Sequence, residues 1–434
     1  MLSDILVPIA ICLLAVAAAY IYIPSNKYKI PFVLLAVFAV ILRIAIVFFL
    51  YRDGVETSGT DGLLYHQEGI GVARQLTNGV PLFEVKYSYT WYTVFVGLIY
   101  FLFGVDRYLV SYINIFLAFI SALLLYKMAV NQKYSCRNAA VISLVFFYFP
   151  NLLLWTADSR KESFLIFACF LCWHNVQRIT CNIAGKKAEG IQGVLRNTLR
   201  LLLVCLLMWV CTLIRVYMFI PMAAGIVISL LLLYKKTSAR LGALFAAVVA
   251  ACAVLIFFVT MNPLTNGYHA ISFTSEPALS TAEQVTSKME TVKTIASNRN
   301  IAVSIVNFLM LPYPGNINIA DLHGDHRLEF IVSMDIVGWY ACLLLMLTGI
   351  YSAIKKRESF FVGLIAFIAS YVFINAMVVE NVADTIYRYR SVIVGLSLLL
   401  IDGDILKSLL YRFESVFRGN TAGAGRKLYG QIKG

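Results

Sequence analysis

Residues that could do acid–base chemistry stand just after the second long apolar run of the sequence. The stretch "SGTDGLLYHQEG" (residues 58–69) contains Asp61, followed by Tyr65, His66 and Glu68. A carboxylate can deprotonate a hydroxyl group or hold a metal ion. Aspartate is also a favourable N-cap residue, and the residues that follow have helical spacing. Asp61 is therefore a candidate base, with helix capping as the alternative, and Tyr65, His66 and Glu68 are candidates for supporting it or contacting an acceptor.

Charged residues also collect at three other places where apolar segments end. They are Asp158, Arg160, Lys161 and Glu162 in "DSRKE", Arg215 in "IRVYMFIP", and Asp384, Arg388 and Arg390 in "DTIYRYR". Charges at a membrane boundary cost free energy unless they pair or face a polar cavity. The planar fork of arginine binds two phosphate oxygens at once. Such a set is therefore typical of a site for a lipid-linked phosphate, with balanced ion pairs and contacts to lipid headgroups as the non-catalytic alternatives.

The sequence leaves the metal requirement open. "DLHGDH" (residues 321–326) has aspartate and histidine at a spacing found in metal sites, but no second cluster of ligands accompanies it. We interpret it as a solvated loop because it contains glycine and follows proline-rich sequence. No metal ligand is assigned, and a divalent cation is kept only as a candidate cofactor.

The composition predicts an all-α polytopic membrane protein. The chain has 434 residues, of which 60% are hydrophobic and 14% charged, and its mean hydropathy is +0.80. Soluble domains carry roughly 25% charged residues. Several apolar runs approach or exceed the roughly 20 residues that cross a bilayer. Lysines and arginines in cytoplasmic loops account for the formal net charge of +13, so no nucleic-acid partner is expected.

Hydropathy and the distribution of Lys and Arg predict about 11 transmembrane helices. The apolar stretch 89–104 is short for a span, and counting it as one would place two basic loops on the outer side. We therefore expect an interfacial or re-entrant helix there. On this topology most Lys and Arg lie inside, most Asp and Glu lie outside, and the four charged groups share the extracytoplasmic face.

The order of these features resembles the GT-C superfamily of membrane glycosyltransferases, nearest its protein-mannosyltransferase-like bacterial branch. The resemblance rests on the acidic first external loop "TDGLLYHQEGIGVARQLTNGVPLFE", the interfacial "YTWYTVFVGLIYFLFG", the span that begins at "DRYLV", the charged turn in "FFYFPNLLLWTADSRKES" and the late "YRYR". It covers about residues 30–220, together with the "YPG" and "YRYR" regions. The chain departs from the family pattern at Gly62, where many relatives carry a second acid.

The resemblance implies a GT-C-like fold and transfer of a sugar from a polyprenyl-phosphate-linked donor to an extracytoplasmic acceptor hydroxyl on a saccharide, lipid or protein. It implies catalytic roles for Asp61 and Asp158. It also implies that Arg388 and Arg390 bind the donor phosphate. From their charge and position we expect Arg160, Lys161 and Arg215 to assist in this, with Glu162 as a further candidate for support or acceptor contact. We expect a multi-pass protein of the bacterial cytoplasmic membrane, in contact with its lipids, that acts in cell-envelope polysaccharide biosynthesis.

These interpretations divide the chain into six parts. They are an extra N-terminal transmembrane helix with a cytoplasmic turn (1–29), the GT-C-like catalytic module (30–220) with its first external loop (52–106), transmembrane helices (221–261), a second external loop (262–335), C-terminal transmembrane helices (336–402) and a basic cytoplasmic tail (403–434).

Three other functions stay open at the level of sequence. A polysaccharide polymerase or ligase would use the same chemistry with a lipid-linked oligosaccharide donor. A transporter or flippase for a lipid-linked saccharide would need charged groups along a pathway through the membrane, for which Arg43 and His174 are the few candidates. A non-catalytic assembly scaffold would tolerate substitution of the charges at 158–162 and 388–390.

Overall fold

The computed structural model describes residues 3–52, 59–87, 90–184, 191–235, 247–250, 300–311, 327–356, 358–378, 383–412 and 415. Helices joined by turns make up these ranges, and no strand forms in them, which confirms the predicted all-α class for this part. The "DLHGDH" loop, most of the predicted second external loop, most of the span predicted at 241–261 and the end of the basic tail lie outside the described residues.

The described helices have the following bounds. In chain order they are α1 (Ser3–Tyr22), α2 (Lys29–Arg52), α3 (Gly59–Thr77), α4 (Trp91–Phe103), α5 (Arg107–Asn131), α6 (Cys136–Tyr148), α7 (Pro150–Trp155), α8 (Glu162–Ala184), α9 (Ile191–Ile214), α10 (Phe219–Leu231), α11 (Ile301–Met310), α12 (Arg327–Lys356), α13 (Ser359–Val378) and α14 (Ala383–Leu398). Short 3-10 segments lie at Leu82–Glu84, Val216–Met218 and Leu232–Lys235.

Six of the described helices are long and apolar enough to cross a membrane. Their spanning segments are Lys29–Phe48, Arg107–Asn131, Glu162–Ala184, Ile191–Ile214, Met334–Lys356 and Ser359–Met377. Helices suit this environment because each backbone group finds its hydrogen-bond partner within the same segment. The remaining apolar helices are shorter, so the described chain is compatible with a multi-pass membrane protein, and the count of about 11 spans stays a prediction.

The predicted first external loop contains two packed helices. α3 contains the predicted helical sequence that follows Asp61, and α4 covers most of the apolar stretch 89–104. The two pack closely, because a Cβ added to Gly97 of α4 would collide with the side chain of Val72 on α3. With 13 residues, α4 is shorter than the roughly 20 needed to span a bilayer. Its location at the membrane surface stays a prediction.

One predicted span is broken in the structure. Hydropathy indicated a single helix over residues 139–157, but α6 ends at Tyr148 and α7 begins at Pro150. Phe149 has φ −61° and ψ 125°, an extended conformation. The reason is local, since the ring of a proline disfavours helical geometry in the residue before it. The break ends α6 and lets α7 lead into the charged turn that follows.

The remaining helices pack around α5 and α8. α5 contacts α1, α2, α6 and α8, whereas α9 packs on α8 and α10 packs on α13. The α10–α13 contact is close, because a Cβ added to Gly225 would lie 2.7 Å from the Gly363 carbonyl oxygen. α11, which lies within the predicted second external loop, packs on α13 and buries Phe308. This arrangement encloses the connection between α7 and α8.

Candidate functional site

The turn between α7 and α8 (residues 156–161) is buried, together with Glu162 at the start of α8. Asp158 and Arg160 are each 2% exposed, Lys161 is 9% exposed and Glu162 is 1% exposed. The sequence predicted a short external turn, and the structure encloses its charged side chains within the helical bundle. Burying charges is costly unless they are paired and hydrogen-bonded, so a run of buried charged residues here marks a candidate functional site.

Polar side chains from α4 and α5 hold the backbone of this turn. The Asn114 amide Nδ2 donates to the carbonyl oxygens of Asp158 and Arg160, both at 2.7 Å. The Tyr92 hydroxyl donates to the Ser159 carbonyl oxygen at 3.1 Å. Burial raises the pKa of Tyr92 well above its usual value, so this phenol stays a neutral donor. These bonds fix the direction in which the charged side chains leave the turn.

Glu162 is the centre of the charged group. Its Oε1 lies 2.6 Å from Nη2 of Arg215, which follows α9, and 3.4 Å from Nε of Arg388 on α14. The positive charges of Arg160 and Lys161 also act on this carboxylate. We name Glu162, these four cations and Asp158 the Glu162 cluster. Three separate parts of the chain therefore meet at one buried carboxylate.

Positive charge exceeds negative charge within the Glu162 cluster. Its four cations face two carboxylates, and Nε of Arg160 lies 3.2 Å from Oδ2 of Asp158. Nη1 of Arg160, and Nε and Nη1 of Arg215, are buried without a well-aligned hydrogen bond to a described residue, and the Tyr371 hydroxyl is the polar group that acts on Arg215 from α13. A buried donor without a partner is costly. The cluster can therefore accept an anion that supplies several oxygen acceptors.

Aromatic rings line the arginine side of the cluster. The guanidinium carbon of Arg215 lies 4.1 Å from the ring centre of Tyr389, and that of Arg388 lies 5.7 Å from it. The Tyr217 ring stacks on Tyr389 with centroids 5.8 Å apart. Burial acts to lower the pKa of Arg215, but Tyr217, Tyr389 and Glu162 outweigh it and raise the pKa, so this guanidinium stays charged.

The candidates on α3 lie beside the turn. The Lys161 ammonium lies 5.9 Å from the ring centre of Tyr65, which also packs edge-on against Tyr92. Nδ1 of His66 is 2.8 Å from the Tyr100 hydroxyl, so this histidine joins α3 to α4. Glu68 is half-buried on the same helix.

The side chain of Asp61 lies outside the described residues, as does that of Asp384. Asp61 belongs to α3 and precedes Tyr65 by about one helical turn. Its predicted role as a base stays a prediction.

Arg390 lies two residues beyond Arg388 but has different partners. Its Nη1 donates to the Leu309 carbonyl oxygen at 3.3 Å, and its guanidinium lies 5.4 Å from the Trp339 ring centre. The charge of Arg390 also acts on Asp335 of α12. Arg390 therefore belongs to a neighbouring group that joins α11, α12 and α14, whereas Arg388 and Arg215 contact Glu162 directly.

Several residues of the site were missed by sequence reasoning. They are Asn114, Tyr92, Tyr217 and Tyr389, which line or support the cluster, and Asp335 and Arg43, which lie behind it. Asp335 carried a usable signal, because a lone carboxylate in the apolar run "FIVSMDIVGWY" is expensive to bury. Arg43 was considered only as a candidate for a transport pathway, and the other four, Asn114, Tyr92, Tyr217 and Tyr389, are aromatic or amide residues that ordinarily occur in helical bundles.

The carboxylates of the site are a poor match for a metal ion. No group of three or more His, Cys, Asp or Glu side chains comes together within the described ranges. Asp158 and Glu162 each face arginine, which competes with a cation for their oxygens.

Comparisons with known proteins identify no relative. No protein-family model matches the chain, and no curated protein and no solved structure is similar to it. The function is therefore argued from the site alone.

Proposed function

We propose that this chain is an integral-membrane glycosyltransferase of the GT-C type. It moves a sugar from a polyprenyl-phosphate-linked donor to an acceptor hydroxyl. The observation that carries the proposal is the set of buried guanidinium N–H groups on Arg160 and Arg215, beside Glu162, that lack hydrogen-bond partners among the described residues. A phosphate group supplies the negative charge and the oxygen acceptors that such a cluster needs.

The surroundings favour a lipid-linked phosphate over a soluble one. Glu162 begins one apolar helix long enough to span a membrane, and Arg215 directly follows another. A ligand bound at the ends of these two helices can keep an apolar tail along the helices while its phosphate enters the cluster. A polyprenyl phosphate combines these two properties in one molecule.

The chemistry follows from the charges. The bond between the sugar anomeric carbon and the phosphate oxygen breaks, and its electron pair stays on the phosphate. Arg215, Arg388 and Arg160 stabilise the charge that develops there, because their positions are already fixed in a water-poor site. The acceptor oxygen bonds to the anomeric carbon, and its proton passes to a carboxylate, for which Asp61 is our candidate.

The wider architecture is part of the same proposal. We infer about 11 transmembrane helices, with α3 and α4 on the extracytoplasmic face of a bacterial cytoplasmic membrane beside the cluster. Transport is less well supported. Arg43, one of the few candidates for a pathway, is hydrogen-bonded to Thr156, Phe147 and Ala39 and is only 1% exposed.

A binding experiment tests the anion site. Farnesyl phosphate, a short polyprenyl phosphate, is titrated into the purified full chain, with farnesol as the ligand that lacks the phosphate. Arg388→Gln and Arg215→Lys should each weaken farnesyl phosphate binding about tenfold or more, which corresponds to about 1.4 kcal/mol. Arg74→Gln is the matched control because Arg74 is exposed on α3. Equal binding of farnesol and farnesyl phosphate would contradict the proposal.

A transfer experiment tests the reaction. Membranes that contain the wild-type chain are supplied with radiolabelled polyprenyl-phosphate sugars, and release of polyprenyl phosphate with a new glycosidic bond is measured. Asp61→Asn should abolish transfer while it leaves farnesyl phosphate binding intact. Wild-type transfer by this variant would exclude Asp61 as the base.

A further inference from the structure

The helix break at Pro150 leaves two backbone groups that a continuous helix would have joined. In an uninterrupted helix the Asn151 N–H would donate to the Phe147 carbonyl oxygen, four residues earlier. Here the Asn151 N–H donates to Oδ1 of Asp335 at 2.9 Å. The Phe147 carbonyl accepts instead from Nη2 of Arg43 at 2.7 Å.

The charges at the break are matched to the backbone groups that they satisfy. A cation from α2 binds the carbonyl and a carboxylate from α12 binds the N–H. Both side chains are buried, at 1% exposure each. Two buried charges are a costly solution, because an alanine at position 150 would permit a continuous helix that needs neither. Such a cost points to a role for the broken geometry itself.

Arg43 contacts the chain on both sides of α7. Besides the Phe147 carbonyl before α7, its Nε donates to Oγ1 of Thr156 at 2.8 Å, directly after α7. Thr156 is the first residue of the turn that carries Asp158, Arg160 and Lys161. One guanidinium therefore fixes the short helix α7 at its two ends and sets where the charged turn begins.

Asp335 extends the same support to α14. Its carboxylate accepts a hydrogen bond from the Asn151 N–H in the first turn of α7 and also interacts electrostatically with Arg390. Arg390 lies on the helix that brings Arg388 to Glu162. The two charged residues at the break thus act on two of the three segments that supply cations to the cluster, the turn after α7 and α14.

We propose that Arg43 and Asp335 are positioning residues, which hold the chain broken at Pro150 so that the turn after α7 and α14 present their cations to the anion. This inference rests on the proposed function, since it assigns a role in binding the lipid phosphate. Neither residue touches the ligand. Their effect on affinity comes only through the geometry of the turn and of α14.

The test separates this role from simple stabilisation. The purified full-length chain and three variants, Arg43→Met, Pro150→Ala and the double variant, are compared by thermal unfolding and by farnesyl phosphate titration. Arg43→Met should lower the unfolding temperature and weaken binding about tenfold. Pro150→Ala alone should stay close to wild type because both charged residues still hold the break.

The double variant is decisive. Without the proline a continuous helix can form, in which the Asn151 N–H donates to the Phe147 carbonyl. Part of the unfolding temperature lost in Arg43→Met should therefore return, although Asp335 loses this donor, while binding stays about tenfold weak. Recovery of both properties would overturn the inference, because the break would then be dispensable for the ligand. Wild-type affinity in Arg43→Met would overturn it as well.

A second pair of variants covers poor folding of Arg43→Met. Thr156→Val removes the hydroxyl that accepts from Arg43, whereas Thr156→Ser keeps it. Thr156→Val should weaken farnesyl phosphate binding several-fold, and Thr156→Ser should restore it to the wild-type value. Equal affinity of the two would overturn the inference alone. Failure of the wild-type chain to bind farnesyl phosphate would instead overturn the proposed function, and this inference with it.

Discussion

Glu162→Gln is the substitution that tests the Glu162 cluster most directly. It removes one negative charge without a large change of shape. The carboxylate oxygen lies 2.6 Å from Arg215 and 3.4 Å from Arg388, with two further cations nearby. The contacts with Arg215 and with Arg388 are each worth about 5–6 kcal/mol of Coulomb attraction at an effective dielectric constant of roughly 20. The cost of removing Glu162 from water offsets much of that attraction.

The net loss is set by the cations that the substitution leaves behind. Breaking a buried ion pair by removing one partner costs about 3–5 kcal/mol, because the other charge stays buried without compensation. Glu162→Gln should therefore lower the free energy of unfolding by about this amount in an anion-free buffer. Glu84→Gln, in an exposed 3-10 segment, is the matched control and should change stability by less than about 0.5 kcal/mol.

Ligand binding should reverse part of this loss. A phosphate that enters the cluster supplies the missing negative charge and stabilises the folded state by mass action. Farnesyl phosphate should therefore raise the unfolding temperature of Glu162→Gln more than that of the wild type, with farnesol as the control ligand. Differential scanning fluorimetry in detergent measures both effects. Wild-type stability of Glu162→Gln, or equal shifts with the two ligands, would refute the assignment of this carboxylate as the counter-charge of the cluster.

Three further substitutions probe the support of the site and the bundle. Asn114→Leu should lower the free energy of unfolding by about 2–4 kcal/mol, since it leaves two buried turn carbonyls without their donor. Chemical denaturation measures this loss. A loss below about 1 kcal/mol would contradict the hydrogen bonds assigned to Asn114. Gly225→Ala should cost about 1–3 kcal/mol because its Cβ would meet the Gly363 carbonyl; an unfolding temperature equal to that of wild type would show that the helices can separate. Burial acts to raise the pKa of Asp402, but the N–H groups of Asp404 and Ile405 outweigh it, so the pKa lies below its usual value. The ionised Asp402 carboxylate therefore stabilises the fold above the pKa that it has in the unfolded chain, and this stabilisation is lost as the pH falls through the folded pKa. Asp402→Asn should therefore make the free energy of unfolding depend less on pH in the acid range. An unchanged pH dependence would refute its role.

Much of the architecture could be predicted from local signals. The apolar runs identify α2, α5, α8, α9, α12 and α13, because roughly 20 apolar residues in a row are typical of a helix that crosses a membrane. The charged residues at the ends of these runs led to Arg215, Arg388 and the turn after α7. Their buried contacts agree with the expectation that charges at such positions pair or face a polar site.

The rest depends on contacts between distant segments. The Asn114 amide acquires its role only when α5 packs against the turn after α7. The periodicity of the sequence does not predict that contact. Hydropathy alone predicts a single span over residues 139–157, whereas the proline at position 150 disfavours helical geometry at Phe149 and breaks the helix there. Hydropathy places Asp335 at the end of the second external loop, because the apolar run that follows it predicts the start of a span at residue 336. Arg43 was weighed only as part of a transport pathway, although its three hydrogen bonds are internal to the fold.

The order in which the chain assembles Glu162 with its partners has a consequence for biosynthesis. Glu162 and Arg215 belong to neighbouring segments of the chain, whereas Arg388 comes from α14, much later in the sequence. During insertion into a membrane, the ribosome delivers the carboxylate and its first arginine together, so their charges compensate each other while the remaining helices are still being made. The second arginine arrives only near the end of translation. A nascent chain that stalls before α14 would still have the Glu162–Arg215 ion pair, but it would lack Arg388, so its Glu162 cluster would be incomplete.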